Sequence, residues 1–361
     1  LKKILQLSTV HKSNDIRVYE KITRTLVETE NIIYLIAIES DVELDKRLIY
    51  YPLKNKFSIS ILNRLYNNLK SLVLINRIKP NVIHIHDPEL LLIGVICRLF
   101  GFIIVYDVHE DLTKDIMHKN MNKVIKKIIS FLIEPFEIYT SIILKNVIVV
   151  TPSIFKRFEG KVKNLVIIRN FPNNGLINNQ NFNPNKVNYV LYSGTISVNR
   201  GIYEIIDSVA KFNGKVRLIL VGQFQNEELM ANVMNYKGWE FVDFKGYVNQ
   251  GQLYEYYASS LIGLVTLHDI DTYREAFPVK LFEYINSGMP VVMSNFPLWK
   301  KIFDGKEVGV SVNPSDSNEI FNAINTIFDN YEEFKKTVYS FKGIYTWENE
   351  KKGLIDFYKK I

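Results

Sequence analysis

The sequence predicts an α/β protein made of two halves, each a parallel sheet covered by helices. Three observations carry this. Short runs rich in Val, Ile and Leu alternate with helical patterns along the chain, a polar Asn-rich stretch from Asn170 to about Lys186 separates two series of such runs, and 361 residues with 47% apolar content suffice for two cores. The first series places strands at residues 4–8, 32–37, 48–51, 82–85, 103–108, 147–150 and 166–168. The second places them at 189–193, 216–221, 242–244, 263–267, 291–294 and 308–312, and an amphipathic helix closes the chain from Trp347 to Ile361. The expected domains are residues 1–170, residues 171–345 and a terminal helix, 346–361, returning to the first domain.

Several classes are excluded. Cys97, the single cysteine, rules out an intrachain disulfide and suits a reducing cytoplasm. The start, Leu1-Lys2-Lys3-Ile4-Leu5, reads as a buried strand rather than a targeting signal. The most apolar stretch, Leu90 to Tyr106, is broken by Arg98 and Gly101, so it reads as helix then strand, not as a membrane span. No His/Cys cluster has metal-ligand spacing.

The most informative string runs from Glu275 through Ala276, Phe277, Pro278, Val279, Lys280 and Glu283 to Gly288. Pro278 suits a first helical position, predicting a helix over 278–286 with Gly288 just past its end. The amides of Ala276, Phe277, Val279 and Lys280 then lie near a helix N-terminus, which attracts a diphosphate, and Lys280 adds a full charge. Glu275 stands outside the helix and Glu283 about 7 to 8 Å along its axis from Pro278, so the two carboxylates can accept sugar hydroxyls on either side of that diphosphate. Taken alone, the same residues describe an ordinary amphipathic helix with solvated charges.

The whole string resembles the Glu-x7-Glu signature of the retaining family-four glycosyltransferases, which have the GT-B architecture of two Rossmann-like domains facing across a cleft. The resemblance implies that Glu275 contacts the donor sugar, Lys280 the diphosphate and Glu283 the ribose. Tyr192-Ser193-Gly194-Thr195-Ile196, leading through Arg200-Gly201 into a helix, resembles the family's second diphosphate-binding loop. Many relatives carry a basic residue where this chain has Thr195, so neutralisation falls to Arg200 and Lys280. Gly222 closes the strand 216–221 at the cleft side of an open sheet, and Phe244-Lys245-Gly246-Tyr247-Val248 resembles the segment flanking the nucleobase.

In the first half, His84-Ile85-His86-Asp87-Pro88-Glu89 and Tyr106-Asp107-Val108-His109-Glu110-Asp111 follow buried strands and are similar to a bacterial subgroup that builds surface polysaccharides. By that resemblance His109 contacts the donor sugar, whereas His84 reads as structural. His11, Asp15 and Arg17 match the subgroup's loop in place of a Gly-Gly turn; together with Asp87 they are candidate acceptor contacts. Asp15 also reads as the N-cap of the first helix, with or without an acceptor role.

Charge is divided unevenly: residues 1–170 hold 26 Lys/Arg against 17 Asp/Glu, and residues 171–361 hold 19 against 21. From Lys46 to His86 there are eight basic residues and no acidic one, set around the apolar pattern Ile61, Leu65, Leu69, Leu72 and Val73. A second basic segment places Lys119, Lys123, Lys126 and Lys127 beside Met117, Met121, Val124 and Ile125. Such helices either lie on anionic membranes or pack inward with solvated lysines. Nucleic acid is disfavoured because no recognition-motif spacing is present.

The resulting expectation is a retaining hexosyl- or N-acetylhexosaminyltransferase moving sugar from a nucleotide-diphosphate donor, UDP-linked, to a polyprenyl-diphosphate-linked glycan of lipopolysaccharide or capsule. It is placed peripherally on the inner face of the cell membrane, with no metal or further cofactor. The alternatives are a small soluble acceptor, a catalytically silent membrane scaffold, or an epimerase of the same architecture.

Overall fold

The computed structural model describes residues 1–109, 116, 122–173, 186–303 and 305–361, without the side chains of residues 123–125, 127 and 128. Glu110, Asp111, Met117, Lys119, Met121 and most of the Asn-rich stretch lie outside the described residues, as do the side chains of Lys123 and Lys127. Two compact units result, residues 1–170 with 350–361, and residues 171–349.

The first unit holds β1 (Lys3–Lys12), β2 (Ile32–Ile38), β3 (Ile49–Leu53), β4 (Val82–Ile85), β5 (Ile103–Val108), β6 (Lys145–Val149) and β7 (Asn164–Ile167). They form a seven-stranded parallel sheet in the order β3-β2-β1-β4-β5-β6-β7. In the second unit, β8 (Asn188–Ser193), β9 (Val216–Val221), β10 (Val242–Gly246), β11 (Ile262–Val265), β12 (Val291–Ser294) and β13 (Gly309–Val312) order as β10-β9-β8-β11-β12-β13, again parallel. Central strands such as Val82–Ile85 and Val291–Ser294 are buried at every residue. That is why they read as continuous apolar runs instead of alternating ones. Strand order reverses between β1 and β4 and between β8 and β11, and loops leaving strand C-termini at such reversals line the ligand crevice of open α/β sheets.

One local reading is corrected. Pro278 is the N-cap, with extended backbone, and the helix runs Val279–Asn286, because Pro278 lies at ψ 126°. In the helix Ser60–Ile78 the polar Asn63, Asn67 and Ser71 face inward, followed by Ile75 and Ile78, while Ile61, Leu65, Leu69 and Val73 face solvent. The apolar stripe is therefore on the outside.

The C-terminal helix Trp347–Lys360 belongs to the first unit from Glu350 onward. Glu350 accepts from the Arg169 N–H (2.7 Å), Lys351 pairs with Glu28 (2.9 Å), and the Tyr358 hydroxyl lies 2.7 Å from His84 Nδ1. Among the described residues no helix is long and apolar enough to cross a membrane.

Candidate active site

In the second unit the strand ends at the β8/β11 reversal are shaped by close backbone approach. A Cβ built on Gly222, after β9, would overlap the carbonyl oxygen of Gly194, after β8, and Gly194 itself has φ +118°. Only glycine lets these two turns meet. Gly194 opens toward Arg200, whose Nη1 lies 3.5 Å from the position a Cβ would take. Arg200 is flanked by the phenols of Tyr192 and Tyr273.

The helix Val279–Asn286 is locked against the same strand ends. Tyr284 fills the space left by Gly263 on β11, and its hydroxyl accepts the Ser193 N–H at 2.8 Å. One turn earlier, at the i−4 position, Lys280 therefore points at the end of β8. Its Nζ is buried, has no hydrogen-bond partner, and stands 3.6 Å from the centroid of the Tyr192 ring. Burial holds the Lys280 ammonium well below the usual lysine range, and the neighbouring Arg200 charge lowers it further against a smaller opposing pull from Glu283. Two basic groups thus converge on one strand end at a helix N-terminus, an arrangement suited to a diphosphate.

The two carboxylates occupy different settings. Glu275 is exposed and ends the turn Asp271–Arg274, and the next carbonyl, that of Ala276, is anchored by Trp299 Nε1 at 2.8 Å. The Ala276 amide, expected among the free donors, is instead engaged with the Tyr273 carbonyl at 3.3 Å. Glu283 is half-buried, accepts from the Tyr257 hydroxyl at 2.9 Å, and lines an open recess with Gln250, Tyr254, Asn286 and Ser287. Sequence reasoning missed Gln250, Tyr254 and Tyr257, although the two tyrosines share a face of the helix Gln250–Ser259 by their i,i+3 spacing. Phe277 packs edge-on against Phe282 (5.9 Å), Pro278 and Val279 begin the helix, and Tyr247, 78% exposed, follows β10.

The first unit has its own constellation at the ends of β1, β4 and β5. Asp87 is buried and accepts from Ser8 Oγ and from the backbone N–H groups of Thr9 (2.6 Å) and Val10 (3.3 Å). Asp15 caps the helical segment Ile16–Thr23 by accepting from the Arg17 and Val18 amides. Although burial pushes the Asp15 carboxyl up, hydrogen bonding from His11 and the Val18 amide brings it down to about 2. His11 lies between Asp15 (3.3 Å) and Asp87 (3.5 Å) and meets His109 edge to face at 5.2 Å.

Arg17 points inward. Its guanidinium makes a two-pronged pair with buried Asp107 (2.7 and 2.6 Å) and also donates to the Ile168 carbonyl at 3.2 Å. Arg17 and Asp87 are thus held by partners within the unit. His109 Nδ1 is 3.8 Å from Asp107, beyond hydrogen-bond reach, and burial lowers its pKa while Asp107 opposes the shift. His84, His86 and Asp107 bring three potential ligand atoms within 4.8 Å of one another. However, His86 is engaged by Gln6 (2.9 Å) and Asp107 (3.3 Å), and Arg17 already neutralises Asp107, so the trio is held as a hydrogen-bonded core.

No curated protein sequence matches the chain. Among solved structures it is similar to sucrose-phosphate synthase from Thermosynechococcus elongatus, with 17% identity and TM-score 0.73 over 100% of this chain and 99% of that one. It is also similar to Anabaena HepE in complex with UDP, at 16% identity and TM-score 0.72 over 100% of both chains. A third is WaaG, a glycosyltransferase involved in lipopolysaccharide biosynthesis, at 12% identity and TM-score 0.68 over 98% of this chain and 99% of that one. At such identities the likeness is one of fold, two parallel-sheet Rossmann-like domains with helices, as in GT-B glycosyltransferases. Residues 174–341, most of the second unit and the stretch containing Gly194, Arg200, Gly222, Glu275, Lys280 and Glu283, match the family of glycosyl transferases group 1.

Proposed function

We propose that this protein is a glycosyltransferase that grips a nucleotide-diphosphate-sugar in its second unit. The observation that carries the reading is the convergence of Lys280, buried and without a hydrogen-bond partner, and Arg200, held by Tyr192 and Tyr273, on the Gly194 and Gly222 strand ends. Glycosyltransferase activity is supported by the family match, and a nucleotide-sugar donor by the solved HepE complexes with UDP, UDP and glucose, and UDP-glucose. In this reading Glu275 contacts the transferred sugar, Glu283 the ribose in the recess beside Tyr257, and Phe277, Pro278 and Val279 supply the helix start. Tyr247 flanks the base.

Among the described residues no carboxylate is assigned as a covalent nucleophile, and we read the transfer as retaining, with protein catalysis mainly electrostatic stabilisation of the departing diphosphate. His109 contributes to the sugar side and His11 and Asp15 to the acceptor side. The acceptor is proposed to be a polyprenyl-diphosphate-linked glycan of a bacterial surface polysaccharide, presented at the inner face of the cell membrane. The fold likeness to WaaG and to the lipopolysaccharide outer core galactosyltransferase WaaB is in keeping with this.

A thermal-shift screen of nucleoside diphosphates and their sugars tests the donor assignment. A ligand at 100 times its dissociation constant adds about 2.7 kcal/mol and shifts the melt upward. Absence of any shift across the panel would remove the reading. Analysis of product anomeric configuration by NMR then distinguishes retention from inversion.

A further inference from the structure

The helix Ser60–Ile78 is built inside out over its first turns. Asn67 is fully buried with both amide atoms unpartnered, and Ser71 and Asn63 share its inward row, while Leu65 and Leu69 stand 58% and 66% exposed beside Ile61 and Val73. A surface helix ordinarily turns its apolar row to the core. Here the i,i+4 apolar row faces outward.

This row is not isolated. The helices Ser60–Ile78, Leu91–Leu99 and Lys123–Leu144 all pack into the one core on the same face of the seven-stranded sheet, through Ile75, Ile78, Leu91, Cys97 and Leu144. Their order follows the sheet, with Ser60–Ile78 against β1 and Leu91–Leu99 packed on Lys123–Leu144, and Arg64 of the first helix meets Glu89, just ahead of the second, at 2.7 Å. On the outer sides of these helices Leu99, Phe100 and Phe131 are each 79% exposed, and Leu132 and Tyr139 are exposed as well. Large apolar side chains exposed in this number on one helical layer mark an interaction site.

Charge identifies the occupant. Arg77 and Lys79 are exposed at the end of the outward row, Arg64 beside it pairs with Glu89 and Lys70 donates to the Pro52 carbonyl, no acidic residue occurs from Lys46 to His86, and the first 170 residues carry a net charge of +9 from 26 basic and 17 acidic groups. A second copy would oppose this surface with its own positive charge. An anionic bilayer complements both parts, taking the apolar side chains below the headgroups and attracting the basic residues to its surface.

We infer that the outer face of these three helices seats the protein on an anionic lipid bilayer, with Leu65, Leu69, Phe100 and Phe131 entering the acyl region. The inference deepens the lipid-linked acceptor reading and rests on it for its purpose. It adds Phe100 and Phe131 to the apolar pattern that the sequence shows at Leu65 and Leu69.

The test is co-sedimentation of the full chain with phosphatidylcholine vesicles with and without phosphatidylglycerol. Wild type should pellet with the anionic vesicles, less so as salt rises but with a remainder that survives moderate salt. Leu65→Glu/Leu69→Glu combined with Phe131→Glu should cut the bound fraction at least tenfold, leaving the melting temperature and nucleoside diphosphate binding unchanged. The three native tryptophans lie in the second unit, so the tryptophan introduced by Phe100→Trp reports insertion: it should be quenched by brominated acyl chains while the native signal is not. Failure of wild type to bind anionic vesicles, or undiminished binding by the glutamate variant, overturns the inference without touching the donor site. Lipid-free dimerisation that the same glutamates abolish also overturns it, giving the face to a second copy. Loss of nucleoside diphosphate binding by wild type would instead defeat the donor reading.

Discussion

Lys280 Nζ stands 3.6 Å from the centroid of the Tyr192 ring, buried and without a hydrogen-bond partner. Burial, then the Arg200 charge, depresses its affinity for a proton, and a bound diphosphate reverses that balance by supplying negative charge at the same place. In the pH range between the depressed value of the free protein and the raised value of the complex, nucleoside diphosphate binding should therefore take up a proton. Titration calorimetry in buffers of different ionisation enthalpy reads this directly, and Lys280→Met should abolish the uptake. Affinity should strengthen as pH falls within that range.

In the proposed reading the two carboxylates divide the ligand between them. Glu283, in the recess beside Tyr257, should affect nucleoside diphosphate binding, so Glu283→Gln weakens it by roughly tenfold, about 1.4 kcal/mol, whereas exposed Glu275→Gln spares it and impairs only sugar-dependent steps. Tyr257→Phe frees Glu283 from a 2.9 Å hydrogen bond and should change nucleotide affinity while leaving sugar discrimination intact. Equal losses of nucleoside diphosphate affinity in both glutamate variants would contradict the division.

Stability of the first unit should fall in acid. Burial opposes ionisation of Asp107, but Arg17 outweighs it and holds the carboxyl well below its usual range; such a group stabilises above the unfolded value and loses that contribution as pH falls through the folded one. Burial also holds His84 well below the ordinary histidine range, so the unfolded chain binds a proton first and stability begins to decline below about pH 6.5. Denaturant midpoints measured from pH 7.5 downward should decrease monotonically, with a shallower first decline in His84→Asn. Arg17→Met leaves Asp107 buried and unpaired and should cost about 3 to 5 kcal/mol.

Gly222 tests the strand-end geometry. Because its Cβ would overlap the Gly194 carbonyl oxygen, Gly222→Ala must push the two turns apart, at about 1 to 3 kcal/mol. A melting temperature lower by roughly 2 to 4 °C per kcal/mol is expected, accompanied by weaker diphosphate binding. An unchanged melt with unchanged binding would show that the turns do not need to touch.

Much of this was readable in the residues. Buried parallel strands are continuous apolar runs, so each expected strand is found, with ends shifted by a few residues where polar residues such as Lys145 and Asn164 extend the pairing. The helix at Pro278, Lys280 and Glu283 was legible because these residues are close in sequence and one short helix arranges them. What stayed hidden depends on distant chain segments. Nothing local joins Arg17 to Asp107, ninety residues apart, or Tyr257 to Glu283. Helical period reveals that Ile61, Leu65 and Leu69 share a face, but not whether that face turns inward, and only the packing of Asn67 and Ser71 shows that it does not.

In the proposed mechanism Arg200 and Lys280 together stabilise the leaving diphosphate, and turnover of a nucleotide-sugar at saturating donor reads that stabilisation. Lys280→Ala and Arg200→Ala should each lower the rate ten- to a thousandfold, roughly 1.4 to 4 kcal/mol of transition-state stabilisation. Rates near wild type in both variants would contradict the account.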